Sequence, residues 1–314
     1  MKSFEPVRGF SFAPFVPAGR VNTDEAKKSL LLMKERTASD FVILVPMALQ
    51  ENCIAESIDF TSPATMKDKE LIDMIRYAHS IGLRTAIKPT VNCKDGMWRG
   101  HIHFFDEDVP CEPKWSKWFP SYTEFQLHFA EIAEKEGCYM FIAGCEMVMA
   151  DHRDKEWRQL ISDIRKVYSG IVTYNCDKYQ EHNVHWWDCV DVICSSGYYP
   201  IGKWEQELDR IEKVVKAFGK PFFFAETGCM STVDSNTVPN DWSMRTGSDL
   251  KGQADWYEDM LSACDKRSWV GGEVFWSWGD KLYPLDKAEE EMNYEVYGKP
   301  AEEIVKKHFG KSTV

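Results

Sequence analysis

One pattern recurs along the chain and limits what it can fold into. An amphipathic stretch ends at glycine and runs at once into a short, almost wholly apolar segment. Leu71, Ile75 and Ala78 lead through Gly82 into Leu83-Arg84-Thr85-Ala86-Ile87. Phe125, Phe129 and Ile132 lead through Gly137 into Cys138-Tyr139-Met140-Phe141-Ile142. Trp157, Leu160, Ile161 and Ile164 lead through Gly170 into Ile171-Val172-Thr173-Tyr174, and Leu208, Ile211, Val215 and Phe218 through Gly219 into Pro221-Phe222-Phe223-Phe224. Spacings of three and four residues place each apolar set on one helix face. A glycine just beyond the last turn supplies the left-handed cap. The segments that follow do not alternate with polar residues, as expected of parallel strands covered on both faces.

The remaining apolar runs bring the strand count to eight: residues 7–12, 41–46, 83–90, 140–145, 171–175, 190–195, 222–226 and 269–276. A helical stretch separates most of them, and residues 301–308 read as the last helix. The fifth helix, near 178–187, has no clean apolar stripe and reads as a short turn. Eight such units over residues 1–314 predict a single-domain α/β fold, the (β/α)8 TIM barrel. The alternative, a doubly wound open sheet, lacks the Gly-x-Gly-x-x-Gly of a dinucleotide site after its first strand. Two connections are long, 93–120 and 229–247. Both follow strands, so in a barrel both lie on the functional face.

Charge narrows the partners. Asp plus Glu number 50 against 38 Lys plus Arg, a net charge of −12, so nucleic acid is repelled by the average surface. No apolar run is long enough to span a bilayer, and Met1-Lys2-Ser3-Phe4-Glu5-Pro6 does not resemble a signal peptide. The 10 cysteines contain no Cys-x-x-Cys, and Cys138, Cys145, Cys176 and Cys194 sit in apolar runs. They read as buried thiols, which points to a reducing cytoplasm. No cofactor and no metal are expected.

In a barrel the informative positions are polar residues at the C-terminal ends of strands. Glu146 follows Phe141-Ile142-Ala143-Gly144-Cys145, and Glu226 follows Phe222-Phe223-Phe224-Ala225. A carboxylate at the exit of so apolar a strand is costly unless it is paired or functional; the plain alternative is an ion pair with Lys88 or Arg84. Two carboxylates among aromatic residues suit glycoside hydrolysis, in which one protonates the leaving oxygen and the other attacks the anomeric carbon or activates water. Retention of configuration needs the carboxyls about 5–5.5 Å apart, inversion about 6.5–9.5 Å. Sugar faces stack on aromatic rings, so Trp98, Trp115, Trp118, Trp204, Trp276 and Trp278 are candidate platforms; the first three, in the long third connection, have little core to fill. His101-x-His103 and His182-x-x-His185 allow a metal-dependent barrel hydrolase as an alternative, although such barrels place His-x-His at the end of the first strand, which here is Ser11-Phe12-Ala13-Pro14. A non-catalytic carbohydrate-binding barrel would keep the aromatics without needing both glutamates. The run Glu289-Glu290-Glu291 reads as a solvated face.

Glutamates ending the fourth and seventh strands resemble the pattern of clan A retaining glycosidases. Gly219-Lys220-Pro221-Phe222-Phe223-Phe224-Ala225-Glu226-Thr227-Gly228 is similar to that clan's nucleophile strand, and Gly272-Glu273-Val274-Phe275-Trp276-Ser277-Trp278 to its Trp-bearing eighth strand. Most of the clan has Asn before the acid/base. This chain has Cys145, and Gly144-Cys145-Glu146 most resembles glycoside hydrolase family 113, the β-1,4-mannanases. The resemblance runs from about Arg8 to Phe309. It implies that Glu146 is the acid/base, Glu226 the nucleophile, and Tyr198 the residue that orients Glu226. It also implies that Trp276 or Trp278 floors the attacked-sugar subsite and that Lys88 and Asn92 contact its hydroxyls. The substrate it implies is β-linked mannan or glucomannan. A thiol hydrogen-bonds weakly, so the contact that Asn makes elsewhere in the clan is expected from Asn92 or Asn175.

Overall fold

The computed structural model describes residues 3–311. Its strands are β1 (Val7–Phe12), β2 (Phe41–Leu44), β3 (Met47–Gln50), β4 (Arg84–Ile87), β5 (Thr90–Cys93), β6 (Met140–Cys145), β7 (Ile171–Cys176), β8 (Ile193–Gly197), β9 (Phe222–Thr227) and β10 (Val270–Trp278). The helices are α1 (Asp24–Thr37), α2 (Asp68–Ser80), α3 (Trp115–Lys135), α4 (Asp154–Val167), α5 (Trp204–Phe218), α6 (Leu250–Asp265) and α7 (Pro300–Phe309). Eight strands close in the order β1-β10-β9-β8-β7-β6-β4-β2, with β1 pairing in parallel to both β10 and β2. The expected (β/α)8 barrel is present.

Burial on both strand faces divides the core into two layers. Val7, Phe41, Ile43, Ala86, Met140, Ile142, Phe223, Ala225 and Val274 fill the bore. Their sequence neighbours, among them Phe10, Val42, Ile87, Phe141, Phe222, Phe224 and Phe275, pack outward against Leu30, Met33, Leu71, Trp157, Leu160 and Leu208 of the helices. Each such burial contributes roughly 1.5–3 kcal/mol of transfer free energy. Gly219 closes α5 in the left-handed conformation (φ 61°), as its position past the apolar stripe requires.

Several boundaries differ from the sequence reading. The runs 41–46 and 83–90 each split, because Pro46 and Pro89 offer no N–H to the ladder. Beyond them the chain resumes as β3 and β5, which pair with each other in a small two-stranded extension. Strand β8 starts later than expected, at Ile193; Asp191, just before it, pairs its side chain with Arg165. Between β7 and β8 there is only a short 3-10 turn, Trp187–Cys189, as the missing apolar stripe foretold.

The largest correction concerns tryptophan. The third connection is not all loop: α3 begins at Trp115 and carries Pro120 within it. Trp115 and Trp118 are buried, and Trp118 stacks on Tyr122 at 4.5 Å and donates its indole N–H to Gln50 Oε1 at 2.9 Å. Trp204, at the start of α5, is buried against Phe224 and Trp256. These three are core, not platforms; Pro120 lies within α3 rather than ending a loop, and burial of the aromatic face outweighs its local cost. Trp118→Ala should therefore cost about 3–5 kcal/mol, seen as a lowered thermal midpoint. Trp98→Ala, at an exposed ring, should leave that midpoint nearly unchanged.

Candidate active site

Strict alternation along β9, with Phe223 and Ala225 in the bore, would point Glu226 outward toward the helices. The pairing prevents this. Ser195 lies opposite Phe224, but the next residue, Ser196, lies opposite Glu226, so β9 carries one extra residue. Such a bulge re-aims a side chain, and here it turns Glu226 inward. Strand β6 does the same: Ile142 faces Thr173 and Cys145 faces Asn175, with a register shift between. Gly144 stands at that irregularity with φ 98°, and a Cβ there would lie 2.1 Å from the Tyr122 hydroxyl oxygen. Glu146 follows with φ 53°, its N–H donating to Asn175 O at 2.8 Å.

These distortions bring two glutamates together at the C-terminal mouth. One oxygen of Glu146, one of Glu226 and the Cys145 sulfur all lie within 4.8 Å of one another. So close an approach of one oxygen from each is compatible with the direct reach of a retaining enzyme.

The carboxyls have different surroundings. Glu226 Oε2 accepts from Lys88 Nζ at 2.7 Å, and Oε1 from the Tyr198 hydroxyl at 2.8 Å. Burial alone would raise its pKa, but the Lys88 and Arg99 charges and the Lys88 and Tyr198 hydrogen bonds outweigh it and hold the carboxyl below the ordinary glutamate range. Burial pushes the Tyr198 phenol well up, and the Glu226 charge adds to this, so Tyr198 stays a donor. Glu146 Oε2 accepts from Arg99 at 3.1 Å and from the Trp98 indole at 3.3 Å, and Oε1 meets the Ser196 hydroxyl at 2.7 Å. Arg99 and Trp98 can only donate. The Ser196 hydroxyl can donate to a carboxylate or accept from a carboxylic acid, so it suits both protonation states of Glu146.

Asn175 links the two halves. Its Oδ1 accepts from Lys88 at 3.2 Å, and its amide donates to Ser196 Oγ at 3.1 Å. It is fully enclosed, so its polar atoms serve the network rather than a sugar hydroxyl. Lys88 is likewise enclosed, so it serves Glu226 as an ion-pair partner rather than a sugar hydroxyl. Cys145 Sγ sits 3.7 Å from Glu226 Oε2 and 3.8 Å from Asn175 Oδ1, and burial pushes its thiol well up. Asn92 stands on β5 in the two-stranded extension and makes no hydrogen bond to either glutamate. Trp276 is the half-buried tryptophan at the mouth, its ring 5.5 Å from Lys88 Nζ and 5.2 Å from Phe15. Trp278 is a correction: it is buried and donates to Ser29 Oγ at 3.1 Å, because its side of β10 faces the helices. Among the described residues, neither histidine pair joins a cluster of three metal-ligating side chains; the one such cluster is Cys145, Glu146 and Glu226, whose charge Lys88 and Arg99 already balance.

Sequence reasoning missed Arg99 and Ser196. Ser196 could have been reached by alternation from Cys194; Arg99 comes from a loop, in the 3-10 turn Arg99–His101, and carries no periodic signal. It also missed what holds Glu146 from behind. The N–H of Met147 donates to the Tyr174 hydroxyl at 2.8 Å, and that hydroxyl donates to Asp151 Oδ1 at 2.6 Å. Both groups are buried.

Comparison with known proteins agrees with this geometry. The family model of glycoside hydrolase family 113 matches residues 10–299. The chain belongs to glycoside hydrolase family 113. Two solved structures described as GH113 beta-1,4-mannanase, one of them a complex, are 49% and 50% identical, each with 98% of this chain and 99% of theirs covered and a TM-score of 0.96. The GH113 beta-mannanase AaManA from Alicyclobacillus acidocaldarius, in complex with ManMIm, is 39% identical over 98% of both chains, with a TM-score of 0.94. A search of curated protein sequences returned no match.

The backing of Glu146 can be tested apart from chemistry. Tyr174→Phe strands the Met147 N–H and a buried carboxyl, so it should cost about 2–4 kcal/mol. Amide exchange at Met147 should accelerate.

Proposed function

We propose that this family 113 protein is a retaining β-1,4-mannanase acting on mannan or glucomannan by double displacement, with Glu226 as nucleophile and Glu146 as acid/base. The observation that carries the assignment is the close approach of the two carboxyls with opposite support: Glu226 is held ionised by Lys88, while Glu146 meets a hydroxyl that tolerates either protonation state. The relatives described as beta-1,4-mannanases supply the substrate class.

In the first step the Glu146 proton passes to the glycosidic oxygen as its bond to the anomeric carbon breaks. A Glu226 oxygen forms the new bond to that carbon, giving a covalent glycosyl ester. In the second, Glu146 takes a proton from water, the water oxygen bonds to the anomeric carbon, and Glu226 leaves as carboxylate. Two inversions restore the starting configuration. Lys88 and Tyr198 occupy both oxygens of Glu226 and fix its rotamer. Trp276 floors the attacked-sugar subsite. All ten cysteines are unpaired, which supports a reducing cytoplasm as the working compartment.

The first product observed by NMR should be the β-anomer; an α-anomer as first product would overturn the mechanism. Glu226→Ala should lose activity by on the order of 10³-fold or more, and azide should restore part of it as the inverted glycosyl azide. Glu146→Ala should spare activated aryl mannosides, whose leaving groups need no proton, far more than mannan. The pH profile tests Lys88. Glu226 has a lowered pKa in the folded protein, so activity is lost as pH falls through that pKa, while the pair's contribution to stability is full above the carboxyl's unfolded pKa and lost as pH falls from there through the folded one. Lys88→Met removes the main cation holding that pKa down, so the acid limb of kcat/KM should move to higher pH.

A further inference from the structure

The connection that leaves β10 ends in a segment, 291–299, stitched down by one buried cation. Lys299 is enclosed. Its ammonium donates to Glu291 O at 2.6 Å, to Asn293 Oδ1 at 2.9 Å and to Ser231 Oγ at 3.0 Å. A lysine taken out of water is costly unless its hydrogens find acceptors, and here three oxygens serve them. Asn293 O accepts in turn from the Ser231 N–H at 3.0 Å. The segment is thereby fastened to Ser231, in the loop that leaves β9. Tyr294 lies between these anchors. Its hydroxyl donates to Pro239 O at 2.6 Å, in the same loop after β9. Its ring lies beside Gly228, where a Cβ would come 3.1 Å from Tyr294 Cδ1 and 2.6 Å from Trp276 O. A glycine two residues beyond Glu226 thus gives the ring its place.

The same ring meets Tyr198 edge-on, with centroids 5.9 Å apart and planes at 68°. Among the described residues no other aromatic ring pairs with Tyr198. Tyr198 follows β8 directly, and its hydroxyl donates to Glu226 Oε1 at 2.8 Å. A phenol on a loop keeps such a hydrogen bond only as well as its ring is placed, and small displacements near reacting groups cost much rate.

We propose that Tyr294 is a positioning residue for the nucleophile: it braces Tyr198 edge-on so that the phenol stays on Glu226 Oε1, and the Lys299 staple holds Tyr294 in place. This rests on the reading of Glu226 as nucleophile and adds a residue 68 positions away in the sequence that makes no hydrogen bond to it. Tyr294 acts through Tyr198 and not on the sugar. The loops after β8, β9 and β10 then work as one unit, because Tyr294 touches all three.

The test follows kcat/KM for an aryl β-mannobioside against pH in Tyr294→Ala, Tyr198→Phe and the double variant. Tyr294→Ala should lower kcat/KM by about three- to tenfold, the worth of one edge-on aromatic pair, and chiefly through kcat. It should also move the acid limb to higher pH, as Tyr198→Phe does, because the phenol's hydrogen bond helps hold Glu226 ionised. Lys88, Arg99, Cys145 and Glu146, which also face Glu226, are left in place. The position of that limb does not depend on how much enzyme is folded, so destabilisation alone does not imitate it. In the Tyr198→Phe background, Tyr294→Ala should cost less than about twofold. Tyr294→Phe, which keeps the ring and loses only the tether to Pro239, should fall between wild type and Tyr294→Ala. An unmoved acid limb in Tyr294→Ala overturns the proposal. So do effects that multiply in the double variant, or a Tyr294→Phe enzyme as impaired as Tyr294→Ala. Loss of turnover in Glu226→Ala and its rescue by azide test the nucleophile itself, so failure there is distinct from failure of the brace.

Discussion

Two carboxylates and two cations share the mouth of the barrel almost out of reach of water. Lys88 and Glu226 form one pair and Arg99 and Glu146 the other, and Asn175 and Ser196 connect them. An unpaired charge in that position would cost several kcal/mol. No member can therefore be moved without stranding another, and the network demands a scaffold that fixes strand ends to within a hydrogen bond. Closure of eight parallel strands supplies that rigidity, since each strand is paired to a neighbour on both sides and no edge is left to slip.

Regular strands alone would not have produced the site. The bulge in β9 turns Glu226 from the helix layer into the bore, and that in β6 turns Cys145 the same way. Each departure from regularity is backed by packing or by buried hydrogen bonds. Gly144 leaves space for the Tyr122 hydroxyl, and the Tyr174–Asp151 pair holds the backbone of Met147 just beyond Glu146. The groups that carry the chemistry thus depend on a layer of aromatic and polar residues that faces away from it. The same layer absorbed tryptophans that composition had suggested for sugar binding. Trp115, Trp118, Trp204 and Trp278 are all buried, which leaves Trp276 and Trp98 at the glutamates.

The chain's linear order determined the barrel. Repeated helix-glycine-strand units bury apolar residues on both strand faces, and few architectures other than a closed parallel sheet allow that eight times over. It also determined which carboxylates matter, because a glutamate ending an apolar run is conspicuous wherever the run lies. Local signals of three to five residues carry both. Tertiary structure alone decided how those carboxylates are aimed and paired. The bulges come from register between strands distant in sequence. Arg99 arrives from a loop with no period to betray it, and Lys88 falls to Glu226 rather than Glu146 only through the geometry of closure. Whether a tryptophan is platform or core depends on which face of its element is covered, and that is settled by the neighbours that pack on it, not by its own place in the chain.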